Sequence, residues 1–218
     1  MAVNGKSGAR EIRAVVLDYG EVLCHRPSDE EFGRMAKMFG ADRNSFPAMW
    51  NKNRGELDRG EMSPEAYWRT MAEDAGRRID REQLDQLCRW DLEMWARENP
   101  QMVAWLRSLR RAGIKTAILS NLHPDMLRHV QGKFGWLEEF DFKTFSADVR
   151  MTKPNPAIYE HTLRGLGVAA RETIFVDDRE ANVQAAQELG IQAIRFRNVA
   201  QLREELAAMG FPVLPGEE

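Results

Sequence analysis

Five short runs rich in apolar and β-branched residues recur along the chain, at 13–18, 115–120, 142–146, 173–177 and 192–196. The first, second and fourth are apolar almost throughout rather than at alternate positions. Strands of that kind need cover on both faces, which points to a parallel sheet between two helix layers. The segments between them carry helix punctuation. Asn99 and Pro100 form an N-cap followed by proline at the first helical position, and Gly113 closes that helix. The segment 156–166 ends at Gly167, and 181–189 ends at Gly190. From residue 99 onward helix and strand alternate, the pattern of a doubly wound, Rossmann-like α/β domain.

The stretch 27–98 differs. It has no strand-like run and holds Trp50, Trp68, Trp90 and Trp95, four of the six tryptophans. Ser63, Pro64 and Glu65 make a helix start: a capping hydroxyl, proline at N1 and an acid near the positive end of the dipole. The expected organisation is a catalytic core of residues 1–26 and 99–218, with 27–98 inserted as a helical cap. Most of the tryptophans and methionines of the insert are expected in its core, with one or two lining a pocket that faces the sheet. Trp50, Arg54 and Tyr67 have the chemistry to contact a ligand, though packing or surface exposure explains each equally well.

The net charge is -3 with 30% charged residues. No global positive field invites nucleic acid or an anionic membrane surface. Cys24 and Cys88 are the only cysteines, too few for a disulfide framework or a zinc spacing, which fits a reducing compartment. No signal-peptide core or membrane-spanning run is visible, so the cytoplasm is the expected location. The first ten residues and the tail after Pro215 are expected to be poorly ordered.

Four segments at strand ends carry candidate chemistry, where an open parallel sheet places its ligands. The first strand delivers Asp18, with Gly20 turning the chain beside it. The second delivers Ser120 and Asn121, able to bind phosphoryl oxygens or simply to cap a helix. Lys153 sits between Thr152 and Pro154 just before a helix; a fixed ammonium can neutralise a carboxylate and a phosphate together. The fourth strand ends in Asp177 and Asp178. Adjacent acids repel unless something positive stands by them, and Mg²⁺ is the simplest candidate. Asn182 can steady these acids from the next helix, and capping explains it as well.

The order Asp18, Ser120, Lys153, Asp177–Asp178, with Lys153-Pro154-Asn155-Pro156 before the acidic pair, resembles the haloacid dehalogenase-like hydrolases over roughly residues 12–200. The resemblance implies that Asp18 is the nucleophile and Ser120 the phosphate-binding hydroxyl. Lys153 is then the charge-neutralising amine. Asp18, the main-chain carbonyl of Gly20, Asp177 and Asp178 hold Mg²⁺, Asp178 more directly than Asp177. Asn121 and His123 are expected on the adjacent wall, as substrate or phosphate contacts. The implied reaction is hydrolysis of a small phosphate monoester through an aspartyl-phosphate, with the cap excluding bulk water.

One position departs from the pattern. Most phosphatases of the family carry a second Asp two residues after the nucleophile as acid and base, and here it is Gly20. The chain resembles a subgroup with Gly there that looks like sugar-phosphate phosphatases. Glu21, His25 or His123 could compensate, His123 being the best placed in sequence, although a helix-start histidine facing water explains it at least as well. The departure leaves two alternatives open. The 2-haloacid dehalogenases also lack that Asp, and Ser120, Asn121, Lys153 and Tyr159 are similar to their pattern. Gly20, Val22 and the Asp177–Asp178 pair are not. The other alternative is a phosphate-binding or regulatory module. The expected partner is a small phosphorylated metabolite, and the chain is read as a monomer or homodimer.

Overall fold

The computed structural model describes residues 12–42 and 44–216. The expectations for the first ten residues and for 217–218 lie outside the described residues. The elements follow in chain order as β1 (Ala14–Leu17), α1 (Asp29–Met38), α2 (Phe46–Lys52), α3 (Arg54–Asp58), α4 (Pro64–Asp74), α5 (Arg81–Met94) and α6 (Pro100–Arg111). Then come β2 (Lys115–Ser120), α7 (Pro124–Lys133), β3 (Phe142–Phe145), α8 (Ser146–Val149), α9 (Pro156–Leu166), β4 (Thr173–Asp177), α10 (Glu180–Glu188), β5 (Gln192–Arg195) and α11 (Val199–Ala208). All five expected strands form, with ends within one residue of the sequence reading. The helix boundaries hold, although Asn99 stands at the N-cap of α6 without a side-chain capping bond, its Nδ2 donating to Val22 O at 3.2 Å instead. Asn155 accepts a hydrogen bond from Ala157 N at 3.0 Å to open α9, and Gly167 closes it at φ 63°.

All strand pairs are parallel, in the order β3-β2-β1-β4-β5. The chain leaves β1 on one side for β2 and β3, then crosses to the other side for β4 and β5. The switch point therefore lies at the carboxyl end of β1, between β2 and β4. Register puts Leu17 level with Ile118 and Val176. Asp18 thus emerges beside Leu119 and Asp177, one residue from Ser120.

Alternate residues of β1 feed two cores. Val15 and Leu17 join a cluster with Leu106, Leu109, Val130 and Leu202, while Ala14 and Val16 join Ala117, Leu119, Ile158 and Phe175 on the other face. Both faces are covered, which is why the runs read as apolar throughout. Helices α1 to α5 bury a third cluster of their own, including Phe46, Trp50, Tyr67, Trp68, Leu84 and Leu87. Trp68 is fully buried and Trp50 is 5% exposed, so these two are core residues as expected. Trp95 packs against both this cluster and the sheet core.

The connections to this helical segment run side by side. His25 N donates to Arg97 O at 2.7 Å and Asn99 N to Leu23 O at 2.8 Å, flanking a bridge between Cys24 and Glu98. Before them the chain makes a tight turn at Tyr19–Leu23, with Glu21 at φ 57°. No helix among the described residues is long and apolar enough to cross a membrane.

Two glycines test the packing. A Cβ on Gly165 in α9 would fall 2.1 Å from the Phe142 ring, whereas one on Gly33 in α1 would meet nothing within 4 Å. Gly165→Ala is expected to destabilise by about 1–3 kcal/mol through overpacking. Gly33→Ala is expected to stabilise by up to about 1 kcal/mol. Urea unfolding of both variants checks the contrast, and equal effects would contradict the packing described.

Candidate active site

The site is organised by one buried ammonium. Lys153 Nζ lies 2.8 Å from Asp18 Oδ1 and 2.6 Å from Asp177 Oδ2, and donates to Leu119 O at 2.8 Å. Its three protons are matched to three oxygens. Burial works against its charge, but Asp177 and Asp18 outweigh that and hold its pKa above the usual lysine value. Asn121 clamps the lysine from β2: its Oδ1 accepts from Lys153 N at 2.9 Å and its Nδ2 donates to Lys153 O at 3.0 Å. That two-point backbone contact was not foreseen in the sequence, where Asn121 read as a wall residue. Asn121 does line the cavity as well.

Asp18 is 6% exposed and follows β1 directly. Its Oδ1 accepts from Tyr19 N at 2.7 Å. Burial pushes its carboxyl above the usual range, with Lys153 pulling it back and Asp177 adding to the rise. Asp177 is fully buried and fully engaged. Besides Lys153 it accepts from Arg179 N at 2.9 Å and from Asn182 Nδ2 at 2.9 and 3.1 Å. Asn182 thus steadies this acid, as the sequence allowed. Its own carbonyl accepts from Tyr159 OH at 3.0 Å, which makes Tyr159 a support behind the site.

Asp178 is different. It lines the cavity while Asp177 does not. Burial, then the charges of Asp18 and Asp177, push its carboxyl up to about 7. Ligand oxygens of Asp18, Asp177 and Asp178 all lie within 4.8 Å of one another. Lys153 is the ammonium that contacts this set, and it touches Asp18 and Asp177. Three clustered carboxylates and one such ammonium leave room for a hard cation, which oxygen donors of this kind suit. Asp18, Asp178 and the Gly20 carbonyl, at the cavity wall, are the groups that could hold it, with Asp177 behind.

The cavity occupies about 620 Å³ including its mouth. Sheet-end residues on its wall include Asp18, Gly20, Glu21, Ser120, Lys153, Asp178 and Arg179. The helical segment contributes Trp50, Arg54, Asp58 and Trp95. Arg54 Nε donates to Asp58 Oδ1 at 3.2 Å, and Nη1 reaches Asp91 at 3.4 Å. Burial raises the Asp58 carboxyl, with Arg54 opposing. Burial would also raise Asp91, but Arg54 and His123 hold it low.

Several residues stand away from their expected places. His123 is 1% exposed and does not line the cavity. Its Nδ1 accepts from Met126 N at 3.4 Å, capping α7, and its Nε2 meets Asp91 at 3.2 Å. Both ring nitrogens are engaged, so His123 is corrected from a substrate or phosphate contact to a buried cap tied to α5. His25 is exposed and off the cavity wall. Tyr67 is 1% exposed, with its hydroxyl on Trp50 O, so it is a packing residue. Glu21 does reach the wall. Trp50 and Trp95 reach the wall, in line with the expectation that one or two insert residues face the sheet, whereas Arg179 and Asp58 were not singled out in the sequence. For Arg179 the signal was adjacency to Asp178; Asp58, and which of the tryptophans reaches the wall, depend on how the insert docks, which no local pattern encodes.

Trp95 also bears on the departure at residue 20. A Cβ on Gly20 would sit 3.7 Å from Trp95 Cζ3 and 4.0 Å from Asp18 Oδ2. A methyl group fits in ordinary contact there, but the side chain of an Asp must share that space with the indole.

A family model described as haloacid dehalogenase-like hydrolase matches residues 11–190. D-ribitol-5-phosphate phosphatase of Bacteroides thetaiotaomicron is 24% identical over 91% of this chain and 98% of its own. Longer relatives align over a fraction of their length: mouse acyl-CoA dehydrogenase family member 10 is 28% identical across 95% of this chain but only 20% of its own. Among solved structures, a HAD family enzyme of B. thetaiotaomicron in complex with magnesium and inorganic phosphate superposes with TM-score 0.68 at 24% identity, covering 85% of this chain and 94% of that one. An L-2-haloacid dehalogenase from Xanthobacter autotrophicus, with chloropropionic acid covalently bound, superposes with TM-score 0.63 at 23% identity over 94% and 85% of the two chains.

The electrostatics predict a pH dependence for the metal-free protein. Asp178 binds its proton more tightly folded, near 7, than unfolded, near about 3.9. Its contribution to stability is therefore full below about pH 4 and is lost as pH rises through 7. Asp18, also raised, acts in the same direction. In chelator, Tm is expected to fall between pH 5 and 8, and Asp178→Asn is expected to flatten that slope. Mg²⁺ is expected to raise Tm most at pH 8. A Tm in chelator that rises over this interval would contradict the site as described.

Proposed function

The chain belongs to the haloacid dehalogenase-like hydrolases, and within that family we propose that it is a Mg²⁺-dependent phosphatase acting on a small phosphate monoester. The observation that carries the reading is the charge arrangement. Lys153 contacts Asp18 and Asp177, and Asp178 stands in the cavity without that ammonium. A site with these acids is suited to a dianionic phosphoryl group only when a cation accompanies it. The same acids disfavour the carboxylate of a 2-haloacid, so dehalogenation is the weaker reading here. A sugar phosphate is the favoured substrate class, with the chain placed in the subgroup that has glycine at residue 20. Residues 27–98 act as the cap in this reading. Cys24 and Cys88 are unpaired, consistent with action in the cytoplasm.

The steps follow from the residues. Asp18 Oδ1 is held by Tyr19 N and Lys153, so Oδ2 is the attacking oxygen. Its electron pair forms the new bond to phosphorus while the ester oxygen leaves with the old one. Lys153 opposes the burial that raises the Asp18 carboxyl and offsets charge on the phosphoryl oxygens as they approach. The Ser120 hydroxyl, on the cavity wall, offers a further donor to those oxygens. Bound Mg²⁺ would supply Lewis-acid stabilisation of the phosphoryl charge, held by Asp18, Asp178 and the Gly20 carbonyl. Water then attacks phosphorus and Asp18 is released. Trp50 and Trp95 on the insert side keep bulk water out of the first step.

With no carboxylate at Gly20, the leaving oxygen departs with little proton transfer. Turnover is therefore expected to fall steeply as leaving-group pKa rises. Hydrolysis of p-nitrophenyl phosphate should require Mg²⁺, and Asp18→Asn should lower kcat by at least about 10³. Phenyl and alkyl phosphates should be slower by about 10²–10⁴, the usual worth of a positioned acid. Activity that survives chelator or Asp18→Asn would refute the proposal.

A further inference from the structure

The insert places one charged pair on the cavity wall, Arg54 and Asp58, an i,i+4 pair spanning α3. Both are fixed from behind. Arg54 binds Asp58 through Nε and Asp91 through Nη1, and its guanidinium lies 4.7 Å from the centroid of the Trp50 ring. Asp91 is in turn held by His123 at 3.2 Å. These contacts leave two polar atoms unused. Among the described residues, Nη2 of Arg54 and Oδ2 of Asp58 make no hydrogen bond. The side chains are 12% and 8% exposed, and both border the cavity. A donor and an acceptor therefore stand side by side, largely desolvated, with capacity left for a ligand.

The chemistry of that ligand follows from the charges. A hydroxyl donates and accepts at once, so one hydroxyl or a neighbouring two can satisfy both atoms. An anion would find Arg54 already shared between Asp58 and Asp91, with the free Asp58 oxygen facing it. Arg179 offers no surplus either, since it stands among Glu21, Asp58 and Asp178.

We propose that Arg54 and Asp58 form a hydroxyl-recognition subsite, and that the substrate carries neutral hydroxyl-bearing carbon, rather than a second anionic group, away from its phosphate. This rests on the phosphatase reading and its sugar-phosphate substrate class, and adds which residues recognise the hydroxyl-bearing part. His123 and Asp91 are positioning residues for it, which gives the buried histidine a purpose its sequence position did not suggest.

The test uses matched probes that differ only in a terminal CH₂OH or carboxylate: glycerol 3-phosphate against 3-phosphoglycerate, and sorbitol 6-phosphate against 6-phosphogluconate. Binding to Asp18→Asn protein with Mg²⁺ is read by calorimetry, so the result does not depend on turnover. The alcohol of at least one pair is expected to bind at least tenfold tighter than its acid. Asp58→Asn on the same background is expected to shrink that preference to threefold or less, with Tm confirming the fold. Equal binding within both pairs, tighter binding of either acid, or a preference unmoved by Asp58→Asn would overturn the subsite. If Asp58→Asn does not fold, Arg54→Lys on the same background decides, and a preference that it leaves unmoved overturns the subsite. Failure of p-nitrophenyl phosphate hydrolysis by the unmodified protein would instead overturn the phosphatase reading.

Discussion

Everything at the carboxyl edge of the sheet depends on keeping several acids close together in a low-dielectric place. Lys153 makes that possible. Its ammonium joins Asp18 to Asp177 and ties both to the end of β2 through Leu119 O. Removing one partner of such a buried set typically costs about 3–5 kcal/mol, because the others are left uncompensated. The surrounding structure is built to hold it. Asn121 grips the lysine backbone at two points, and Asn182 and Arg179 N occupy the remaining acceptors of Asp177. Asp178, outside that arrangement, remains as the carboxylate suited to a further cation.

The fold serves this constraint by simple means. Parallel register brings Asp18, Ser120 and Asp177 to one edge from strands far apart in the chain. The order β3-β2-β1-β4-β5 opens a crevice there. The helical segment, with its own apolar cluster, covers the crevice and contributes the indole of Trp95 and the Arg54–Asp58 pair. At Gly20 the second carboxylate usual in the family is absent, and the Trp95 indole lies beside that position next to Asp18. In the proposed phosphatase reaction, such a site would polarise the phosphoryl group strongly and assist the leaving group weakly.

The core was legible in the sequence because its signals are local. A buried strand that ends in Asp18, Ser120 or Asp177 names its own functional position, and proline and glycine mark where the helices begin and end. Lys153 was legible from its place before α9. The insert was less so. Its helical character showed in Ser63-Pro64 and in the tryptophans, but the face it turns to the sheet depends on tertiary docking. Tyr67 and Arg54 looked alike as ligand contacts; packing buried the first and placed the second on the wall. His123 read as a wall residue because it follows Asn121 closely. Asp91, 32 residues away in sequence, meets its Nε2, and Met126 N uses the other nitrogen. A long-range contact of this kind leaves no mark at the histidine itself.

The central claim is that Asp18 forms a covalent bond to phosphorus under the charge set by Lys153. The most direct measurement is to quench the enzyme during p-nitrophenyl phosphate turnover, reduce it with borohydride and sequence the peptides by mass spectrometry. An acyl phosphate is reduced to an alcohol, so homoserine at position 18, dependent on substrate and Mg²⁺, is the expected result. Unmodified Asp18 throughout turnover, or homoserine at another acid, would contradict the account.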